Sequence, residues 1–309
     1  MSRFRTAIPI SKFPFQIKHD SKILSLGSCF SQEIGEKLNR SGFETLVNPF
    51  GIVFNPISLA QSLERLISGQ AYGPSELILN QGKYHSLDHH GRFSAAEAET
   101  ALGLINDEFQ EASKELKNAN VLCLTLGSAW AYRHVESGRV VANCHKIPQK
   151  EFDKVLVKND EIIDRLGRVI SSLSDDYERL DVVLTVSPVR HWKDGPLENQ
   201  VSKSHLRIAC DELSLKFSNC HYFPSYELVL DELRDYRFYA DDMLHPSSAA
   251  VDFIWEKFQE VSMVAEVRQR ASEFDKLHKA LDHTGEGPQV EAAREEVRMK
   301  IHELKNQRN

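Results

Sequence analysis

The chain has 309 residues, 41% hydrophobic and 27% charged, which suits one α/β domain of roughly 250 residues with an appendage. Its formal charge of -7, with no Lys/Arg block, excludes the electrostatic footprint of a nucleic-acid binder, and no run approaches the ~18 apolar residues of a membrane span. Five scattered cysteines without a CxxC pair argue against a disulfide framework and a thiolate zinc site, so the expectation is a cytoplasmic protein using neither metal nor cofactor.

Residues 1–21 read as an arm laid on the body. Pro9 and Pro14 interrupt regular structure, and Phe4, Phe13 and Phe15 are available for docking. The arm mixes Arg, Lys and Pro through its apolar positions, so a secretory signal is not expected. Ile23, Leu24 and Leu26 then form a short buried strand, Gly27 breaks it, and Phe30, Ile34 and Leu38 recur every four residues. That order is strand, tight turn, helix. The turn carries Ser28 and Cys29, two side chains able to act as nucleophiles beside the unpaired N–H groups of a first helical turn. A thiol in that positive potential is expected to ionise more readily than a free one. The same residues fit a plain role equally well, Ser28 as helix cap and Cys29 as small buried filler.

FETLV reads as a second strand, and the two Asn-Pro pairs of NPFGIVFNP enforce an extended path until Pro56 opens a helix through Leu59, Leu63, Leu66 and Ile67. Residues 69–94 read as an irregular polar surface loop whose His85, His89 and His90 lack metal-ligand spacing. A long amphipathic helix follows through Ala98, Leu102, Ile105, Phe109, Ala112 and Leu116, and then the apolar run VLCLTL ends at Gly127. Alternating segments about ESGR predict a hairpin. Ile162, Leu166, Val169, Ile170 and Leu173 mark a helix, DVVLTVSP a strand, VRHWKDGPLENQ a polar loop, residues 200–217 a helix and CHYF the last strand. Alternating strands and helices call for a parallel sheet covered on both faces, with ligands at the carboxyl ends of its strands, where GSCF, NPFG, GSAW and SPVR fall. The α/β domain is placed over residues 1–262. Over 263–309, Val264, Val267, Ala271 and Phe274, then HTGEGP, then Val290, Val297 and Leu304 predict a charged helical hairpin, which either pairs with another copy in a homo-oligomer or packs back on its own domain.

In ADDMLHPSS, Asp242 and His245 stand three residues apart before a Pro and a new helix. The carboxylate can fix the imidazole tautomer and leave the other ring nitrogen for a nucleophile, or the pair can simply cap the helix. Arg190 and His191 fit an anionic group on a substrate or an exposed loop. Trp130 fits the wall of a sugar or acyl site or plain packing, and Asn143, Cys144 and His145 either line the pocket or lie on the surface. Arg234, Asp235 and Arg237 read as an ion-pair lattice bracing the last loop.

GSCF after the first strand, NPFGIVFNP, LTLGSAWAY, VVANCHKIP, LTVSPVRHWKDG and YFPSYELVLDELRDYRFYADDMLHPS, in this order, resemble the GSCFA-domain family, placed among the SGNH-hydrolase-like folds. The resemblance spans about residues 10–260, with Ser31 where the family has its eponymous Ala. It implies a three-layer α/β sandwich around a parallel, flavodoxin-like sheet, here with a C-terminal helical extension. By that likeness Cys29 stands at the nucleophile, with Ser28 as the alternative, Gly51 at the oxyanion-hole Gly, and Asp242 with His245 at the final pair. Ala129 stands where an oxyanion Asn is expected, so a donor is sought from Asn48 or Asn143, beside the N–H of Cys29. The resemblance implies an esterase or acyltransferase for a small-molecule or glycan-bound acyl ester. The alternatives are a catalytically weak binding module for a glycan or acylated ligand, and a structural partner protein acting through its C-terminal hairpin.

Overall fold

The computed structural model describes residues 6–177, 179–282 and 288–306. Phe4 of the arm and most of the HTGEGP break lie outside them. In chain order the strands are β1 (Lys22–Gly27), β2 (Glu44–Val47), β3 (Leu77–Asn80), β4 (Lys83–Ser86), β5 (Val121–Leu126), β6 (Trp130–His134), β7 (Val140–Val141), β8 (Phe152–Leu156), β9 (Asp181–Val186) and β10 (Cys220–Tyr222). The helices are α1 (Cys29–Arg40), α2 (Pro56–Ser68), α3 (Ala98–Asn118), α4 (Asn159–Asp176), α5 (Pro196–Lys216), the single turn α6 (Ser225–Glu227), α7 (Ser248–Ser262), α8 (Ala265–Asp282) and α9 (Pro288–Asn306). None of the described helices is long and apolar enough to cross a membrane.

The central sheet runs β10-β9-β5-β1-β2, every pair parallel. Counting only these five strands in chain order gives 2-1-3-4-5, the flavodoxin-like order whose direction of winding reverses between β1 and β5. The cause lies in the strand sequences. All six residues of β5, and the last five of β1 and β9, are buried, as a strand covered on both faces requires. Alternation sorts them into two layers. Leu24, Leu26, Leu122, Leu124, Val182, Leu184 and Val186 face one core, built with Leu59 and Leu63 of α2, Ile105 and Phe109 of α3, and α4 and α5. Ile23, Val121, Cys123 and Val183 face the other, built with Phe30 and Leu38 of α1 and Ile254 and Phe258 of α7. The expected three-layer sandwich is thus formed.

Several connections differ from expectation. The stretch 69–94 is not a plain loop. β3 and β4 pair antiparallel across Gln81 and Gly82, both at positive φ (49° and 73°), as a tight hairpin turn demands. His89 is no surface residue: it is 1% exposed, caged by the rings of Phe50, Tyr72 and Phe93, and burial drives its imidazole down to about 3. Among the described residues no group of three or more His, Cys, Asp or Glu is arranged to hold a metal. The hairpin about ESGR forms from β6 and β7 and gains an unforeseen third strand, β8, on the other edge of β6. The helix expected from residue 200 begins at Pro196, behind Gly195 at φ 91°.

The arm docks through Phe13 and Ile17, whose N–H groups donate to the carbonyls of Val261 and Ser262. Of the C-terminal helices, α8 lies back on the α/β body. Phe274, 1% exposed, is wedged against Gly42, with the His19 ring 5.7 Å away. Phe274→Ala is expected to cost about 3–5 kcal/mol. A urea-unfolding midpoint within error of wild type would refute that account of α8.

Candidate active site

The site begins where β1 and β5 part. Gly27 has φ 147°, and a Cβ there would lie 2.3 Å from the carbonyl oxygen of Thr125, so only glycine permits this approach. The Ser28 N–H donates to that same carbonyl (3.2 Å), which ties the start of α1 to the end of β5. Ser28 is the helix cap: it is 2% exposed, and its Oγ accepts from the Phe30 N–H at 3.3 Å. Ser28, the alternative nucleophile, thus faces the cap. Cys29 is half-buried and lines a cavity of about 260 Å³ with Phe30, Glu33, Val189, His245 and Pro246.

Cys29 and His245, far apart in the chain, line one cavity because α7 covers the same face of the sheet as α1. The turn before α7 is fixed by Asp242. Its Oδ1 accepts from the N–H groups of Leu244 (2.9 Å) and His245 (3.0 Å), and its Oδ2 takes His245 Nδ1 at 2.6 Å. These hydrogen bonds hold the Asp242 carboxyl down at about 2, the backbone donors contributing most. A carboxylate that stays ionised keeps the proton on Nδ1 and leaves Nε2 as an acceptor. Ser247, and not Asp242 or His245, caps α7.

The thiol departs from expectation. Burial raises the Cys29 pKa, and the opposing effects, hydrogen bonds from the N–H groups of Phe30 and Cys29 and the attraction of Lys203, do not outweigh it. The helix start favours the thiolate as foreseen, but desolvation is larger. Ionisation therefore needs a base; His245 and Glu33 both line the cavity, and Glu33, whose charge raises the thiol further, opposes the thiolate that His245 would leave.

The proposed oxyanion donors are placed as follows. Gly51 has φ 75°, and its N–H donates to the Asn48 carbonyl at 2.7 Å, so it is committed to the turn after β2. Asn48 is buried with its Oδ1 accepting from Gly27 N–H and Ser31 Oγ (both 2.9 Å) and its Nδ2 donating to Gln32. It braces the β1 turn, and Ser31 in place of the family's Ala supplies one of those bonds. Asn143 and His145 are engaged elsewhere: the Asn143 Oδ1 accepts from the His145 N–H, and the His145 ring bonds the Ser86 carbonyl at 2.7 Å beside His85. They line neither cavity near the pair, because the β6–β7 hairpin docks onto the β3–β4 hairpin through Leu87. Trp130 is braced by its indole N–H on the Glu198 carbonyl (3.3 Å), with Lys154 4.6 Å from the ring centroid. Arg234 pairs with Asp231 and Arg237 with Asp235, two separate exposed ion pairs in place of the expected lattice.

His191 and Arg190 follow β9. His191 is half-buried with its ring 5.8 Å from that of Phe54, and desolvation first, then Lys203, lowers its imidazole to about 4. Lys203 is the residue that sequence reasoning missed. It is 1% exposed, and its Nζ donates to the carbonyls of Gly127 (2.7 Å) and Ser187 (2.6 Å) at the ends of β5 and β9. Burial lowers it to about 7. Asn199, one turn earlier, takes the His191 N–H on its Oδ1 (2.9 Å), while its Nδ2 is buried without a partner among the described residues. The signal was present: Asn199 and Lys203 fall on the apolar stripe of α5 with Leu206, Ala209, Cys210 and Leu213.

The GSCFA family profile matches residues 22–258, from the first residue of β1 to Phe258 of α7. The chain belongs to the GSCFA family. Among solved structures, one described provisionally as a platelet activating factor from Streptococcus pneumonia matches at 14% identity, with 77% of this chain and 83% of that one covered and a TM-score of 0.38. No curated protein matches the chain by sequence. The GSCFA region thus contains the whole central sheet and both members of the Cys29–His245 cavity, while α8 and α9 lie beyond it.

Proposed function

We propose that this GSCFA protein transfers a small acyl group through Cys29, as an SGNH-like esterase or acyltransferase of the cytoplasm. The observation that carries the reading is the cavity shared by Cys29 and His245, behind which Asp242 fixes the ring at 2.6 Å. His245 Nε2 takes the thiol proton as Sγ attacks the ester carbonyl carbon, and the N–H of Cys29 faces the oxyanion. The tetrahedral adduct then expels the alcohol, which leaves with the proton from the imidazolium, and a thioester remains on Cys29. Water or an acceptor hydroxyl, deprotonated by His245, releases the acyl group and restores the thiol. The volume, about 260 Å³, lies just below the usual small-ligand range of about 300–1,000 Å³, which suits a short acyl group whose alcohol, on a small molecule or a glycan, stays outside.

The test is acylation by 4-nitrophenyl acetate, followed by nitrophenolate release and by mass spectrometry of the cysteine-bearing peptides. The expected result is an acetyl adduct on Cys29 that Cys29→Ala abolishes. A second reading, a binding module with little turnover, is favoured by the commitment of the Gly51 N–H to Asn48 and by the methyl side chain at Ala129. Folded protein whose Cys29 is never acylated, while other nucleophiles are, selects that second reading.

A further inference from the structure

A larger cavity, about 630 Å³, lies on the other side of the same loop. Neighbouring residues separate the two: Val189 and His245 line the small one, Arg190 and Leu244 the large one, and the Arg190 N–H donates to the Leu244 carbonyl at 3.1 Å. The walls are apolar and aromatic, from Leu233, Trp192, Tyr236, Tyr239 and Met243, and Trp192, Tyr236 and Met243 stay well exposed. Exposed aromatic surface gathered round a concave floor is the usual make-up of a small-ligand site.

The charges on this wall are unequally satisfied. Asp242 is taken by His245 and two backbone N–H groups, Asp235 by Arg237, and Arg234 by Asp231. Arg190 is different. Its guanidinium lies 5.3 Å from the centroid of the Trp192 ring, its Nε is buried without a hydrogen-bond partner, and it forms no ion pair among the described residues. Lys203, its near neighbour, adds positive potential. An unpaired guanidinium is costly beside apolar walls unless an anion completes it, and its planar fork fits carboxylate and phosphate oxygens.

We propose that this cavity is a binding site for an organic anion, a carboxylate or phosphate on an apolar body, with Arg190 holding the head group and the Leu233, Tyr236 and Tyr239 wall covering the body. The site stands whether or not Cys29 is acylated, and its test reads binding alone. The full chain is titrated by calorimetry with octanoate, octyl phosphate, 1-octanol and inorganic phosphate. Octanoate or octyl phosphate should bind at least about tenfold more tightly than 1-octanol, and inorganic phosphate more weakly than octyl phosphate. Which of the two amphiphiles binds better separates carboxylate from phosphate. Arg190→Gln should weaken anion binding about ten- to hundredfold and leave 1-octanol unchanged. The proposal is overturned if 1-octanol binds as tightly as both anions, if inorganic phosphate matches octyl phosphate, or if no anion binds at millimolar concentration. These comparisons need only the wild-type protein. A folded Arg190→Gln variant with unaltered octanoate affinity would also overturn it.

Discussion

Replacing His245 by Ala is expected to slow acylation of Cys29 by 4-nitrophenyl acetate roughly a hundred- to ten-thousandfold, the usual range for loss of a positioned base. The expectation is large because the thiol cannot ionise unaided. Burial raises its pKa above the ordinary thiol value, so the small thiolate population must be made at the moment of attack. Asp242→Asn should cost less, about ten- to hundredfold, since both side chains are half-exposed and water competes for the ring. The Asp242 carboxyl, held at about 2, gives the acylation rate no limb between pH 4 and 8. The sign for stability follows from the depression of that value. The contribution of Asp242 is present above the ordinary carboxylate range and is lost as pH falls through about 2, so the acid-unfolding limb should steepen less in Asp242→Asn. Wild-type acylation rates in His245→Ala would remove the base from the mechanism and with it the acyl-transfer reading.

How much of this was legible depends on what each residue's neighbours are. β1, β5 and β9 carry Ile, Leu and Val on both sides of the strand, and a strand buried on both faces leaves that trace in sequence. Gly27 and Pro56 sit where a close approach and a first helical position demand them, and they too were readable. The Asp242–His245 pair was legible because the partners are local, three residues apart. Cys29 opens α1 where GSCF predicts a helix start, yet its ionisation is not readable there: the burial that raises its pKa comes with Val189, Pro246 and Val251, distant segments of the chain. His89 failed for the same reason. Its immediate neighbours in sequence are mostly polar, and although Phe93 is only four residues on, the cage closes only with Tyr72 and Phe50 from farther away in the chain. The Gly51 N–H was assigned to an oxyanion because motif position carries no information about where a turn spends its hydrogen bonds. Asn143 and His145 went astray because a hairpin's docking partner, here β3 and β4, is a tertiary fact.

Lys203→Met should make Cys29 harder to ionise, and the effect should itself depend on pH. The ammonium of Lys203 lowers the Cys29 pKa, and Lys203 gives up its proton near pH 7. Below that value the cation is present, and alkylation by iodoacetamide should be about three- to tenfold faster in wild type than in the variant, the lower bound for loss of part of one pKa unit. Above it the amine is neutral and the two rates should converge, which a merely distorted site would not do. Stability supplies an independent reading. Lys203 is depressed from 10.5 to about 7, so between those values the unfolded chain binds a proton that the native one has shed, and wild-type stability rises with pH. Cys123 and Cys220, both raised to about 12 by burial, act in the opposite sense once free thiols ionise near pH 9, so the clean window is pH 7 to 9. Across it the wild type should gain about 1 kcal/mol per pH unit on Lys203→Met in urea unfolding. A difference that stays flat from pH 6 to 9, together with alkylation ratios that do not converge, would mean that Lys203 stays charged throughout, fixed by the Gly127 and Ser187 carbonyls as a structural clamp between β5 and β9.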